Sequence, residues 1–115
     1  MSKIFSEPIQ TLPQADVPLP GVTAYLSQAA THQIVFMEFA EDAVLPEHHH
    51  ESQAGFVLEG RIDLCIGGKT LTYRKGGRYF IPAGVKHSGK IYAGYADITF
   101  FNEPRRYQIK PKNLG

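Results

Sequence analysis

The chain predicts an all-β domain, a single antiparallel sandwich or barrel. Three observations carry that expectation. Short β-prone segments recur along the sequence with Gly and Pro turn signals between them. Nowhere do apolar residues repeat with the 3.6-residue period of an amphipathic helix. And 115 residues make one domain, long enough to bury a core without staples.

Residues 1–20 hold Pro8, Pro13, Pro18 and Pro20. Proline fixes φ and lacks an N–H, so this stretch predicts an extended arm with no helix and a short edge strand near Ile4-Phe5. From Gly21 the texture changes. Residues 22–26 and 32–40 are rich in β-branched and aromatic side chains and read as strands, with His32 a surface residue at the start of the second. Glu41-Asp42-Ala43 reads as a turn, and Val44-Leu45-Pro46 leads into a run of histidines. Residues 54–58 form the next strand. Residues 61–66 alternate polar and apolar, the pattern of a half-buried strand. Gly67-Gly68 then predicts a two-residue hairpin turn, since both positions tolerate positive φ. The chain returns over 69–73, turns at Lys75-Gly76-Gly77, and continues as strands over 78–81, 87–92 and 95–101. The expected organisation is an N-terminal arm (1–20), a barrel (21–104) and a C-terminal tail (105–115).

Composition narrows the function classes. Hydrophobic content is 43%, charged content 20% and net charge +1, the profile of a folded globular domain. The densest basic run, Arg105, Arg106, Lys110 and Lys112, reads as a solvated tail, and nucleic acid is not an expected partner. There is one cysteine, Cys65, so no internal disulfide can form. That fits a reducing compartment. With no signal-like start and no apolar run of the roughly 20 residues a membrane helix needs, the expected location is the cytoplasm and no membrane partner is expected.

Three of the five histidines are adjacent, at His48, His49 and His50, and a fourth is His87. Imidazole is the commonest metal-binding side chain. On a strand, His48 and His50 share one face and His49 takes the other. His87 follows Pro82-Ala83-Gly84, a tight turn that opens a strand. These two stretches are expected to meet and hold one metal ion.

Here the sequence resembles the cupin family. The stretch from Pro46 to Gly60 is similar to the first cupin motif, an HxH pair, then an acid or amide, then six residues and a glycine. Gln53 with Gly60 fits the last part. Residues 76–87 are similar to the second motif, Gly, five residues, Pro-x-Gly, two residues, His, with Gly76 and His87 matching position for position. The resemblance spans about 32–101. It implies a jelly-roll β-barrel, a homodimer, a small-molecule ligand in the barrel, and one divalent transition metal (zinc, nickel, iron, manganese, cobalt or copper) on His48, His50, Gln53 and His87. The sequence departs from the pattern in three places. Gln53 replaces the usual Glu, the gap from His50 to Gln53 is one residue short, and Ile91 stands where an Asn often closes the second motif. Counting back from Gly60 at the usual spacing selects Glu47 and His49, whereas two imidazoles at HxH spacing make the better ligand pair for a first-row metal.

Two functional readings follow from the resemblance. One is a metal-dependent enzyme of oxygenase or isomerase/lyase type acting on a small organic molecule. The other is a non-catalytic module that binds or senses such a molecule. No residue in the sequence identifies a catalytic acid or base.

Overall fold

The computed structural model describes residues 2–111; Lys112 and the end of the expected tail lie outside them. The elements, in chain order, are a one-turn helix α1 (Glu7–Gln10) and strands β1 (Val22–Gln28), β2 (Gln33–Phe39), β3 (Ala43–His48), β4 (Gln53–Glu59), β5 (Arg61–Ile66), β6 (Lys69–Arg74), β7 (Arg78–Ile81), β8 (His87–Ile91) and β9 (Ala96–Phe101). All ladders are antiparallel. They form a five-stranded sheet in the order β1-β2-β9-β4-β7 and a four-stranded sheet in the order β3-β8-β5-β6. This is the jelly-roll arrangement expected, present as two sheets rather than one closed ring.

The alternation of side chains builds the core. Along β2 every second residue, Gln33, Val35, Met37 and Phe39, is buried. Leu26, Val57, Ile62, Leu64, Ile81, Ile91, Tyr95 and Phe101 complete the packed interior. Each such apolar side chain contributes roughly 1.5–3 kcal/mol through removal from water. Phe56 and Phe80, on the opposite parity of β4 and β7, stay exposed. The Gly67-Gly68 turn has φ of 56° and 85°, as a hairpin of that type requires.

Three expectations are corrected. The first twenty residues do contain helix, the single turn α1, because Pro8 occupies its first turn, where no N–H is needed. Ile4-Phe5 is not a strand. Instead the buried Phe5 ring packs edge-on against Tyr25 and Phe36, at 6.0 and 5.8 Å between centroids. Third, Ala43 and the residues after it are not a turn and a lead-in but strand β3, despite Pro46. That strand lies at the edge of its sheet, where a missing donor breaks no inner ladder. Its register shifts between Leu45 and His48, after which His48 pairs with His87.

The segment carrying Arg105 and Arg106 is also more integrated than a solvated tail. Tyr107 packs edge-on against Phe101, and its backbone N–H donates to Gln33 Oε1, 3.0 Å. Arg106 is half-buried. Gln14 and Ala15 pair with Lys110 and Ile109, so the two ends of the chain close one side of the molecule together.

Candidate metal centre

Each histidine is positioned by a different piece of the fold. His48 ends β3, His50 lies in the loop before β4, and His87 opens β8. Their rings converge, with centroid separations of 4.1 Å for His48–His87, 4.7 Å for His50–His87 and 5.2 Å for His48–His50. One ring nitrogen from each falls within 4.8 Å of the others. His87 is buried, His48 and His50 half-buried. His49, Glu47 and Glu51 are exposed.

The hydrogen bonds set the tautomer. His48 Nδ1 donates to the Pro46 carbonyl at 2.7 Å, His50 Nδ1 to the Glu51 carbonyl at 2.7 Å, and His87 Nδ1 to the Val85 carbonyl at 2.9 Å. A carbonyl can only accept, so each Nδ1 must carry the proton. In the neutral ring Nε2 is then a bare lone pair. The Nε2 atoms of His50 and His87 nevertheless stand 3.2 Å apart. Two facing lone pairs repel unless a proton or a cation stands between them. Burial, with the nearby Arg106 guanidinium and the other imidazoles, lowers the His50 pKa to about 4, and burial lowers that of His87 as well. Protons are therefore disfavoured near neutral pH, and the three residues could hold a metal ion. The donor set fits a first-row divalent cation.

The centre opens onto a cavity of about 420 Å³ between the sheets. Gln53, the first residue of β4, lines it. Its amide nitrogen donates to Thr99 Oγ1 at 3.0 Å and reaches the Tyr79 hydroxyl at 3.5 Å, which leaves Oε1 for another partner. Tyr79 is placed by Gly55, its ladder partner. A Cβ at Gly55 would clash with the hydroxyl end of the Tyr79 side chain, so only glycine lets the ring cross β4. Beyond Tyr79 lies Asp97. Its Oδ2 accepts from the Tyr95 hydroxyl at 2.6 Å and from Tyr79 at 3.2 Å, while Oδ1 is buried without a partner. Burial raises the Asp97 pKa to about 7, against the pull of those two hydroxyls.

Sequence reading brought His48, His50, Gln53 and His87 to the cavity and missed Asp97, Tyr79 and Arg106, which also line it. Asp97 did carry a signal. It shares strand parity with Thr99 and Phe101, an acid on the inward face of an otherwise apolar strand. Arg106 carried none, since it follows Pro104 in a segment without periodicity.

The cupin domain family model (Cupin_2) matches residues 35–93. The chain belongs to the cupin family. No curated protein matches it. An RmlC-like cupin from Shewanella frigidimarina is similar in structure at TM-score 0.72 and 21% identity, over 92% of this chain and 94% of that one. KdgF from Halomonas sp. is similar at TM-score 0.67 and 23% identity, over 80% and 88%. A variant of Bacillus subtilis oxalate decarboxylase, an enzyme with Mn(II) centres, is similar at TM-score 0.67 and 18% identity, over 90% of this chain and 30% of that one. At these identities the likeness describes the fold.

Proposed function

We propose that this chain holds one divalent transition metal on His48, His50, His87 and Gln53 and uses it on a small organic molecule bound in the cavity. The observation that carries the reading is the pair of unprotonated Nε2 atoms, 3.2 Å apart, held in place by three Nδ1–carbonyl bonds. Such carbonyl bonds fix the ring orientation of a ligating histidine. Gln53 joins the set because its amide nitrogen is committed to Thr99 and Tyr79. When bound, the metal supplies a Lewis acid that polarises an oxygen of the molecule. The chain's own residues bind and orient that molecule. The Tyr79 hydroxyl, held neutral by burial, donates to Asp97 and accepts from the Gln53 amide, which helps to orient that amide. Ile62, Leu64 and Ile91 supply an apolar wall that limits water.

Elemental analysis of the purified chain is the test, expected to find about one first-row metal per chain in the wild type. A metal-free wild type, or His87→Ala with unchanged metal, overturns the site. Oxygen uptake with catechols, flavonols, keto acids and thiols then identifies an oxygenase, and product analysis identifies an isomerase or lyase. Ligand binding without turnover assigns a binding module instead. The homodimer implied by the family is tested by light scattering, where a monomer mass at micromolar concentration removes it.

A further inference from the structure

Among the described residues, Arg106 is the one that lines the cavity with a permanent positive charge. Its guanidinium lies 4.4 Å from the Tyr107 ring centroid and 5.6 Å from that of Phe101. Stacking of this kind holds the planar fork in a fixed orientation. Its Nε is buried and has no hydrogen-bond partner. The ion pairs among the described residues join Arg61 to Asp63, Lys75 to Glu59 and Lys90 to Asp42, and none uses Arg106. A half-buried cation with an unused donor is costly unless an anion meets it. Neither nearby acid does. Asp97 is tied to two tyrosine hydroxyls deeper in the cavity, and Glu103, whose buried Oε1 has no hydrogen-bond partner, stands 3.8 Å from His50 Nδ1 and makes no ion pair with Arg106.

We propose that Arg106 is the anion-binding group of this cavity and that the molecule taken there carries a carboxylate. The inference rests on the reading of the cavity as a ligand site. A carboxylate suits the guanidinium fork, which grips two oxygens at once. One guanidinium balances one negative charge, whereas a phosphate dianion needs more. The apolar wall formed by Leu19, Leu45 and Ile62 accepts a carbon skeleton behind the carboxylate.

The test uses the zinc-loaded full chain, with hexanoate, hexanamide and hexyl phosphate as probes. Nuclear magnetic resonance follows the Arg106 Nε–H signal. Hexanoate is expected to shift that signal and to bind about tenfold more tightly than hexanamide, the scale of one charge-assisted pair. Arg106→Gln should erase the preference, and Arg106→Lys should keep part of it. Equal binding of hexanoate and hexanamide, an unmoved Nε signal, or a preference that survives Arg106→Gln overturns the proposal. Tighter binding of hexyl phosphate overturns the choice of carboxylate. If Arg106→Gln does not fold, the Nε signal and Arg106→Lys decide alone, and loss of preference must follow the weaker fork. Repeating the titration on metal-stripped protein separates the two readings. An Arg106-dependent preference in a chain that binds no zinc defeats the metal reading alone. Stoichiometric zinc with no Arg106 dependence defeats the carboxylate subsite alone.

Discussion

Two polar clusters share the space between the sheets, and the same physics leaves them in opposite conditions. At the mouth, beside His48, His50 and His87 are bases whose charge burial opposes. At depth, Asp97 is an acid whose charge burial also opposes. Desolvation lowers the His50 pKa to about 4 and raises the Asp97 pKa to about 7. The imidazoles are thereby left with free lone pairs. The carboxyl group is pushed toward its protonated form. The anchoring differs too. Each histidine is fixed by a backbone carbonyl one or two residues away, so its partner cannot be lost by substitution. Asp97 is fixed by the side chains of Tyr79 and Tyr95. At the mouth the ring nitrogens face one another, while the deep cluster is nearly closed upon itself.

The comparison breaks most visibly at Asp97. Between its ordinary 3.8 and about 7, the folded state binds a proton that the unfolded chain has released. The contribution is therefore fully present below about pH 4 and is lost as pH rises through about 7, on the order of 4 kcal/mol in all. Urea unfolding of wild type and Asp97→Asn between pH 4.5 and 8 should show the wild type losing stability relative to the variant as pH rises. A pH-independent difference refutes the assignment.

At the mouth, His87→Ala should weaken metal binding by more than about 100-fold, a larger loss than the roughly 10–100-fold of removing a group behind a ligand. Competition with a coloured chelator measures it. The deep cluster should respond to Tyr95→Phe with a destabilisation of about 1–3 kcal/mol, because the 2.6 Å bond to Asp97 is lost in a buried site. Metal affinity should stay unchanged, which thermal unfolding and the chelator assay report separately. The smallest effect is expected where the clusters touch. Thr99→Val removes the oxygen that holds the Gln53 amide at 3.0 Å and should cost about tenfold in metal affinity. An unchanged affinity removes Gln53 from the ligand set.

The sequence carried most of the strands because alternation and turn chemistry are local. Arg61–Ile66 and Arg78–Ile81 fall where the pattern places them. Pro46 hid β3, since a proline argues against a strand and only the sheet order shows that this one is an edge. The histidine cluster was legible for a similar reason. Its residues sit in two short motifs, and HxH spacing has meaning on any strand. The rest of the cavity was less so. Tyr79 and Asp97 meet across β4, and Arg106 returns from beyond the last strand, so their proximity depends on topology rather than on spacing. Gln53 shows the limit within the motif itself. Its position was readable, but the orientation of its amide depends on Thr99, 46 residues away.

Gly55 carries a consequence of its own. The Tyr79 ring occupies the space a side chain at position 55 would take, and its hydroxyl ends between the two clusters. Residue size at 55 therefore decides where the phenol can lie. A methyl group there would force the Tyr79 ring to move. A bulkier residue at this place would reshape the cavity while the three imidazoles stayed where their backbone carbonyls hold them.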